Sequence, residues 1–343
     1  MNKIDIRDIT VQELKERMKK KSIPPYRAEQ IFYWIYKKGV SDFNAMSNIP
    51  KELRHRFDKH YRFDNIKLKE RRRSCDGTEK FLFELSDGNV IESVLIPSGR
   101  RKTICISTQV GCKYGCVFCA SGVNGFVRDL VPSEILGQIL FIQRDIGSSI
   151  TNFVFMGMGE PLDNYENVSK AIVVMNSEEA LGIGARRITI STCGIIPGIE
   201  KLKKLGLQVN LSVSLHAVND TLRDSFMPIN RKYPLKKLID TCEHFIEKTK
   251  RKITLEYVLI RDKNDSLDDA DRLSLIAKRL KAKVNLLNYS PISGKKLMPL
   301  LEAKTTIFKN RLVKNKIAVT MRQSKGKDIE AACGQLALRK RQG

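Results

Sequence analysis

Long apolar runs are missing from this 343-residue sequence, where stretches such as 150–158 fall far short of the ~20 residues a membrane span requires. No apolar segment follows the charged start, so no export signal is expected and the chain is expected to be cytoplasmic. Cysteine is too scarce for a disulfide scaffold, with eight residues in all, three of them inside 112–119. Such usage suits metal or redox chemistry in a reducing compartment. Acidic side chains are also in short supply, 38 Asp+Glu against 62 Lys+Arg, a formal charge of +24. The remainder, 42% hydrophobic and 29% charged, suffices for a core, excludes wholesale disorder and fits at most two domains.

The charge is unevenly placed. Residues 1–73 carry 20 basic and 10 acidic side chains, 74–303 carry 31 and 26, and 304–343 carry 11 and 2. Basic ends around a nearly neutral centre fit a large polyanion, because phosphate neutralisation supplies affinity without touching the chemistry. A single run such as Arg71-Arg72-Arg73 is equally well a solvated face.

Periodicity divides the chain. Segments 11–20 and 26–38 read as amphipathic helices, the second bracketed by Pro24-Pro25 and Gly39, giving a basic helical module over 1–73. Phe32, Tyr33, Trp34 and Tyr36 could stack on bases, but a helical core explains most of them. Segments 80–85 and 89–96 around Ser86-Asp87-Gly88 read as a hairpin, placed in a linking region over 74–100. From 101 to 343, strands alternate with helical stretches, with strands at 103–107, 150–156, 187–192, 209–215, 253–259, 284–287 and 317–321. Strand and crossover helix in repetition demand a parallel sheet, of six or seven units curled into a full or partial barrel. Chemistry is then expected at the carboxyl ends of the strands.

After the first of these strands comes Gly111-Cys112-Lys113-Tyr114-Gly115-Cys116-Val117-Phe118-Cys119, a C-x3-C-x2-C triplet in one loop. A structural zinc site would close its shell with a fourth Cys or His nearby, which 113–126 otherwise lacks. Three thiolates on a four-iron cluster leave one iron open to a small molecule.

This triplet, at the end of the first barrel strand, resembles the radical S-adenosylmethionine superfamily. The segments 103–112, Phe155-Met156-Gly157-Met158-Gly159-Glu160-Pro161-Leu162, Ser214-Leu215-His216-Ala217, Met227-Pro228-Ile229-Asn230 and Ala331-Ala332-Cys333-Gly334-Gln335-Leu336 are similar to the dual-specificity adenine-C2 methyltransferases of 23S ribosomal RNA and tRNA. The resemblance spans nearly the whole chain and is weakest over the first 70 residues. It implies an α/β fold, a partial (β/α)6 TIM-like barrel with a small N-terminal helical domain. It also implies a 4Fe-4S cluster on Cys112, Cys116 and Cys119, with S-adenosylmethionine, two molecules per turnover, contacting Gly159, Glu160, Ser191, Ser214, Leu215 and His216. Ser290 stands where the family usually has Asn before Pro, so its polar contact is shorter. Taken alone, the Gly-x-Gly-Glu turn could carry a solvated carboxylate, and His216 could be a core imidazole.

An adenine C2 is not nucleophilic, which excludes ordinary displacement at a sulfonium methyl. In the family, one cofactor methylates the cysteine matching Cys333. A second, split reductively at the cluster, yields methionine and a 5'-deoxyadenosyl radical that takes hydrogen from the S-methyl group; the resulting methylene radical adds to the adenine, an electron is lost and a proton leaves C2. The cysteine matching Cys105 then frees the product as a transient disulfide. Glu92 falls at the family's proton acceptor, although alternation alone allows it to face outward. Cys75, Cys193 and Cys242 read as structural. The expected partners are 23S rRNA, tRNA and an electron donor such as flavodoxin or ferredoxin, with no membrane partner and a monomeric chain. A C8-methylating relative shares the cluster and the cysteine pair, but tends to carry Ala for Pro161 and an aliphatic residue for Cys193. A non-catalytic iron–sulfur RNA-binding or assembly protein would need neither Cys105 nor Cys333.

Overall fold

The computed structural model describes residues 3–64 and 66–337; the basic residues at 339–341 lie outside the described residues. The helical module comprises α1 (Val11–Lys19), α2 (Tyr26–Tyr36) and α3 (Lys51–His60), closed by a two-residue parallel bridge between Ile4–Asp5 and Tyr61–Arg62. A capping box starts α1, with the Glu13 amide donating to Thr10 Oγ1 and the Thr10 amide to Glu13 Oε2. Phe32 and Tyr36 are buried in the module's core, whereas Tyr33 stays 47% exposed, so most of this aromatic run is packing material.

One sheet of ten strands carries the rest of the fold, in spatial order identical to chain order. Its strands are β1 (Lys67–Arg73), β2 (Glu79–Glu84), β3 (Val90–Ser98), β4 (Arg101–Cys105), β5 (Asn152–Phe155), β6 (Ile188–Thr192), β7 (Asn210–Ser214), β8 (Ile253–Leu259), β9 (Lys283–Asn288) and β10 (Val319–Arg322). From β4 to β10 every pairing is parallel, and the outer helices α4 (Pro132–Asp145), α5 (Tyr165–Asn176), α6 (Ile196–Leu202), α7 (Asp220–Phe226), α8 (Leu235–Thr249), α9 (Leu267–Arg279) and α10 (Glu302–Lys314) make the crossovers. The two ends of the sheet do not pair, so the barrel is partial, as expected. No helix among the described residues is long and apolar enough to cross a membrane.

Two boundaries differ from the sequence reading. Residues 67–73 are not part of the helical module but form the sheet's edge strand, antiparallel to β2. The hairpin at 74–100 is not a separate linker either: β3 pairs with β4 in the register Val94↔Cys105 and Ile96↔Thr103, extending the barrel sheet. Burial explains this, since Phe81, Phe83 and Ile91 are fully enclosed and need a neighbouring layer to cover them. Among the other cysteines, Cys242 is core as expected, but Cys75 is exposed.

The module docks where the Asp8 carboxylate accepts the Ser133 amide at 2.8 Å, in the first turn of α4, and Lys170 reaches Glu13 at 2.9 Å. Because α4 follows β4, that contact sits at the carboxyl end of the strands. The opposite gap in the barrel is crossed by a strap, 326–337. Ser74 donates to Asp328 at 2.6 Å, the Gly326 amide to Asp76 at 3.0 Å, and Lys80 to the Glu330 carbonyl at 3.1 Å.

Candidate active site

The loop after β4 is folded tightly enough to aim its cysteines. Gln109–Gly111 pairs with Phe126–Asp129, the Cys112 amide donates to the Gly125 carbonyl, the Cys119 amide to that of Cys116, and the Val117 amide to that of Phe226. Cys112, Cys116 and Cys119 thereby line one cavity at the carboxyl ends of the strands. No three His, Cys, Asp or Glu side chains among the described residues converge on a single metal ion. Three thiols carried on one loop and lining one cavity fit a multi-iron cluster, in which each thiolate binds a different iron. Burial pushes the Cys112 thiol up to about 12 and raises Cys116 and Cys119, so these sulfurs ionise only when a metal compensates them.

Across the cavity lie Gly159, Glu160, Ser191, Ser214, His216 and Ser290, the polar residues the resemblance implied. Glu160 is 4% exposed; its Oε1 accepts the Leu162 amide at 3.0 Å and its Oε2 that of Cys193 at 2.7 Å. A carboxylate offers about four acceptor positions, so capacity for an ammonium group remains. Burial raises its pKa, and the two amides oppose that rise. Ser290 Oγ is buried with no hydrogen-bond partner among the described residues, an orphaned hydroxyl that fits a polar cofactor group. His216 sits at φ 57°, its Nδ1 accepts the Val258 amide at 3.0 Å, and burial lowers its pKa to about 3. The ring is therefore neutral with its proton on Nε2, and it meets the Phe118 edge of the cysteine loop at 4.7 Å. Leu215 is different: its side chain belongs to the core, and its backbone is spent on Glu256 and Arg223.

The glycines of the β5 turn answer to packing. A Cβ on Gly157 would lie 2.6 Å from the Ser107 amide nitrogen, and one on Gly159 2.5 Å from Gln109 Cβ. Gly157→Ala is expected to lower stability by about 1–3 kcal/mol, seen as a lower urea midpoint at unchanged m-value.

A second, larger cavity of about 780 Å³ fills the barrel below the first, and Met156, Glu256, Leu287, Arg322 and Cys333 border both. Cys105, at the end of β4 and 5% exposed, opens into it together with Cys333 from the strap. The strap is clamped around that sulfur: the Ala120 amide donates to the Gly334 carbonyl at 2.6 Å and Ser121 to that of Leu336 at 2.7 Å. Gly334 is required there, since its φ is +83° and a Cβ would meet the Phe118 carbonyl oxygen at 2.7 Å. Burial pushes the Cys105 thiol up to about 12, while the hydrogen-bonded Arg322 guanidinium pulls the other way. Glu92 does not face outward: it is 1% exposed, its Oε2 accepts the Ala337 amide at 3.0 Å, and Lys80 pairs with its Oε1 at 3.4 Å.

Sequence reasoning missed two arginines. Arg322 lies between Cys105, Cys333 and Glu256 and reaches Met156 Sδ at 3.3 Å. Arg223, 1% exposed, donates to the carbonyls of Cys193, Ser214 and Leu215 and to Asn230, tying the ends of β6 and β7 together beneath the cavity. Neither has a spacing signal, because their partners are a mixture of backbone carbonyls, sulfurs and polar side chains drawn from several segments.

Residues 4–62 match the family model of the ribosomal RNA large subunit methyltransferase N-terminal domain, and 106–273 that of the radical SAM superfamily. A probable dual-specificity RNA methyltransferase RlmN of Clostridium novyi is 45% identical over 97% of each chain. Its counterpart in Akkermansia muciniphila is 46% identical over 92% of this chain and 90% of its own. A crystal structure of a radical SAM methyltransferase from Sphaerobacter thermophilus superposes with a TM-score of 0.91 at 40% identity, covering 97% of this chain and 99% of that one. Helical module, barrel and cysteine-bearing strap are thus matched together, and the chain belongs to the dual-specificity RNA methyltransferase RlmN family of the radical SAM superfamily.

Proposed function

We propose that this chain methylates C2 of an adenine in 23S rRNA and of the adenine 3' of the anticodon in some tRNAs. One observation carries the reading: Cys105, from the first parallel strand, and Cys333, from the C-terminal strap, open into one cavity beside the three-cysteine loop. A binding protein has no use for that pair.

Cys112, Cys116 and Cys119 would hold the 4Fe-4S cluster, and the cluster with S-adenosylmethionine supplies the one-electron chemistry that an unreactive ring carbon demands. Glu160, with acceptor capacity left over, would take the cofactor's ammonium group; Ser191, Ser214, the His216 Nε2–H and the unpartnered Ser290 hydroxyl would fix its remaining polar groups. Cys333 carries the one-carbon unit on its Sγ, and Cys105 attacks that sulfur to release the product, forming the disulfide as the carbon–sulfur bond breaks. The Arg322 guanidinium favours the thiolate that Cys105 needs for the attack. Glu92, buried and inward, is the candidate acceptor of the C2 proton, with Lys80 balancing its charge. The electron donor on this reading is a flavodoxin or ferredoxin, and the setting a reducing cytoplasm, consistent with eight free cysteines.

The test is mass spectrometry of RNA treated with reconstituted protein, reductant and S-adenosylmethionine. The expected product is 2-methyladenine. 8-Methyladenine would assign the chain to the C8 chemistry instead, and unmodified RNA would overturn the methyltransferase reading.

A further inference from the structure

The helical module has a cavity of its own, about 350 Å³, where α1 and α3 diverge, remote in sequence from every residue of the barrel site. Its floor is apolar. Leu14 and Met18 come from one turn-spaced face of α1, Phe57 from α3, and Ile23 and Tyr61 from the segments that follow the two helices. Phe57 and Tyr61 stack with ring centroids 5.2 Å apart at 19°, the buried Phe57 backing the half-buried Tyr61 ring.

The rim has the opposite character. Arg17 stands on the last turn of α1 and Lys21 just past its end, and Arg56 and Lys59 stand on the last turns of α3. All four are exposed, and no carboxylate among the described residues pairs with any of them. Elsewhere in the module some cations are matched, as in Lys15–Glu29, Lys3–Asp58 and Arg62–Asp64, while others, such as Lys20 and Lys51, have no carboxylate partner among the described residues. An aromatic-walled apolar floor inside a ring of unmatched cations is complementary to a nucleotide, whose base stacks below while its phosphates lie above. A paired duplex cannot offer that combination, since its bases are already stacked. The Asp8–Ser133 contact fastens the start of the module at the carboxyl end of the barrel strands, while Lys37, just past α2, lies beside Gly182 in the connection that enters β6.

We propose that this groove binds an unpaired nucleotide of the substrate RNA, base on the Tyr61 ring that Phe57 backs and flanking phosphates on Arg17, Lys21, Arg56 and Lys59. This rests on the RNA reading above and adds to it a second contact away from the reacting adenine.

The experiment measures binding of the full-length protein to a fluorescent RNA stem–loop, and to the fully paired duplex of the same stem, by anisotropy across a salt series. A variant carrying Arg17→Gln and Lys59→Gln, both on the surface and free of structural partners, is expected to bind the stem–loop roughly tenfold more weakly. Its slope of log affinity against log salt should fall by about 1.4, near 0.7 per lost single-strand contact. Tyr61→Leu is expected to weaken stem–loop binding at least fivefold, on the order of one lost base stack, with the salt slope and the duplex unaffected. Wild-type affinity and slope in the arginine–lysine variant would overturn the groove, even if Tyr61→Leu fails to fold. Equal losses on stem–loop and duplex would also overturn it, by reducing the rim to a patch of charge. Methylation of the same RNA by the unaltered protein separates the two ideas. Methylation with groove variants that bind normally removes only the groove, whereas groove-dependent binding without methylation removes only the catalytic reading.

Discussion

Cys105→Ala protein is expected to end its first turnover covalently joined to RNA through Cys333, whereas Cys333→Ala protein forms no adduct and no product. The geometry behind this is the shared cavity: Cys105 on β4 and Cys333 on the strap open into the same space, with Arg322 between them. Once a carbon on the Cys333 sulfur is bonded to the adenine, release requires a second sulfur to take its place. Attack by Cys105 forms the sulfur–sulfur bond, breaks the sulfur–carbon bond and leaves its electron pair on the departing carbon, which then takes a proton. Among the described residues no other cysteine opens into that lower cavity, so nothing there substitutes for Cys105. The effect is therefore near total, with turnover falling to about one event per protein. A denaturing gel of labelled RNA reads it directly: a slow band with Cys105→Ala, none with Cys333→Ala and none with the double variant. Multiple turnover by Cys105→Ala with no RNA-linked species would refute release by the cysteine pair.

The same pair shows what a sequence can and cannot disclose. Alternating strands and helices from β4 onward were legible because each element buries a face with its own period; the strand bounds shift by at most two residues, two helices by three, and the short α7 was not read. The edge strand β1 was not. Every residue in Lys67–Arg73 except Leu68 is charged, so no period-two apolar signal exists. The strand is held instead by its ladder to β2 and by Arg71, which pairs with both Glu79 and Asp145. Charge of this kind also protects an open edge from pairing with other chains. The grouping of the cysteine triplet in one cavity was legible from spacing, because three thiols carried on one loop are neighbours in sequence. Arg223 and Arg322 were not, since their contacts are made by segments that only the folded barrel brings together. Glu92 lies between these cases. Alternation left its direction open, and its inward placement follows from β3 pairing with β4, which sets Val94 opposite Cys105 and turns Glu92 to the same side.

Removing any one sulfur of the triplet should remove the cluster altogether. Cys112→Ala, Cys116→Ala and Cys119→Ala are each expected to lose the brown absorbance near roughly 400 nm that iron–sulfur charge transfer produces, and with it all turnover. The loop itself should survive each change, because it is fastened by backbone bonds at Cys112–Gly125, Cys116–Cys119 and Val117–Phe226 that a side-chain truncation leaves in place. The decisive control is Cys193, a fourth thiol facing the same cavity and within electrostatic reach of Cys112 and Cys116. If the cluster keeps one iron open for the cofactor, Cys193→Ala retains its iron and its colour. Four-sulfur ligation would close that iron and leave no position for a small molecule, so loss of colour in Cys193→Ala would contradict the open-iron site. Acidity supplies a second readout. The triplet thiols are raised by burial, Cys112 to about 12, so every ligand bound displaces a proton and reconstitution must weaken as pH falls. Iron uptake by the unaltered protein that does not change between mildly alkaline and mildly acidic buffer would mean that these sulfurs are not the ligands.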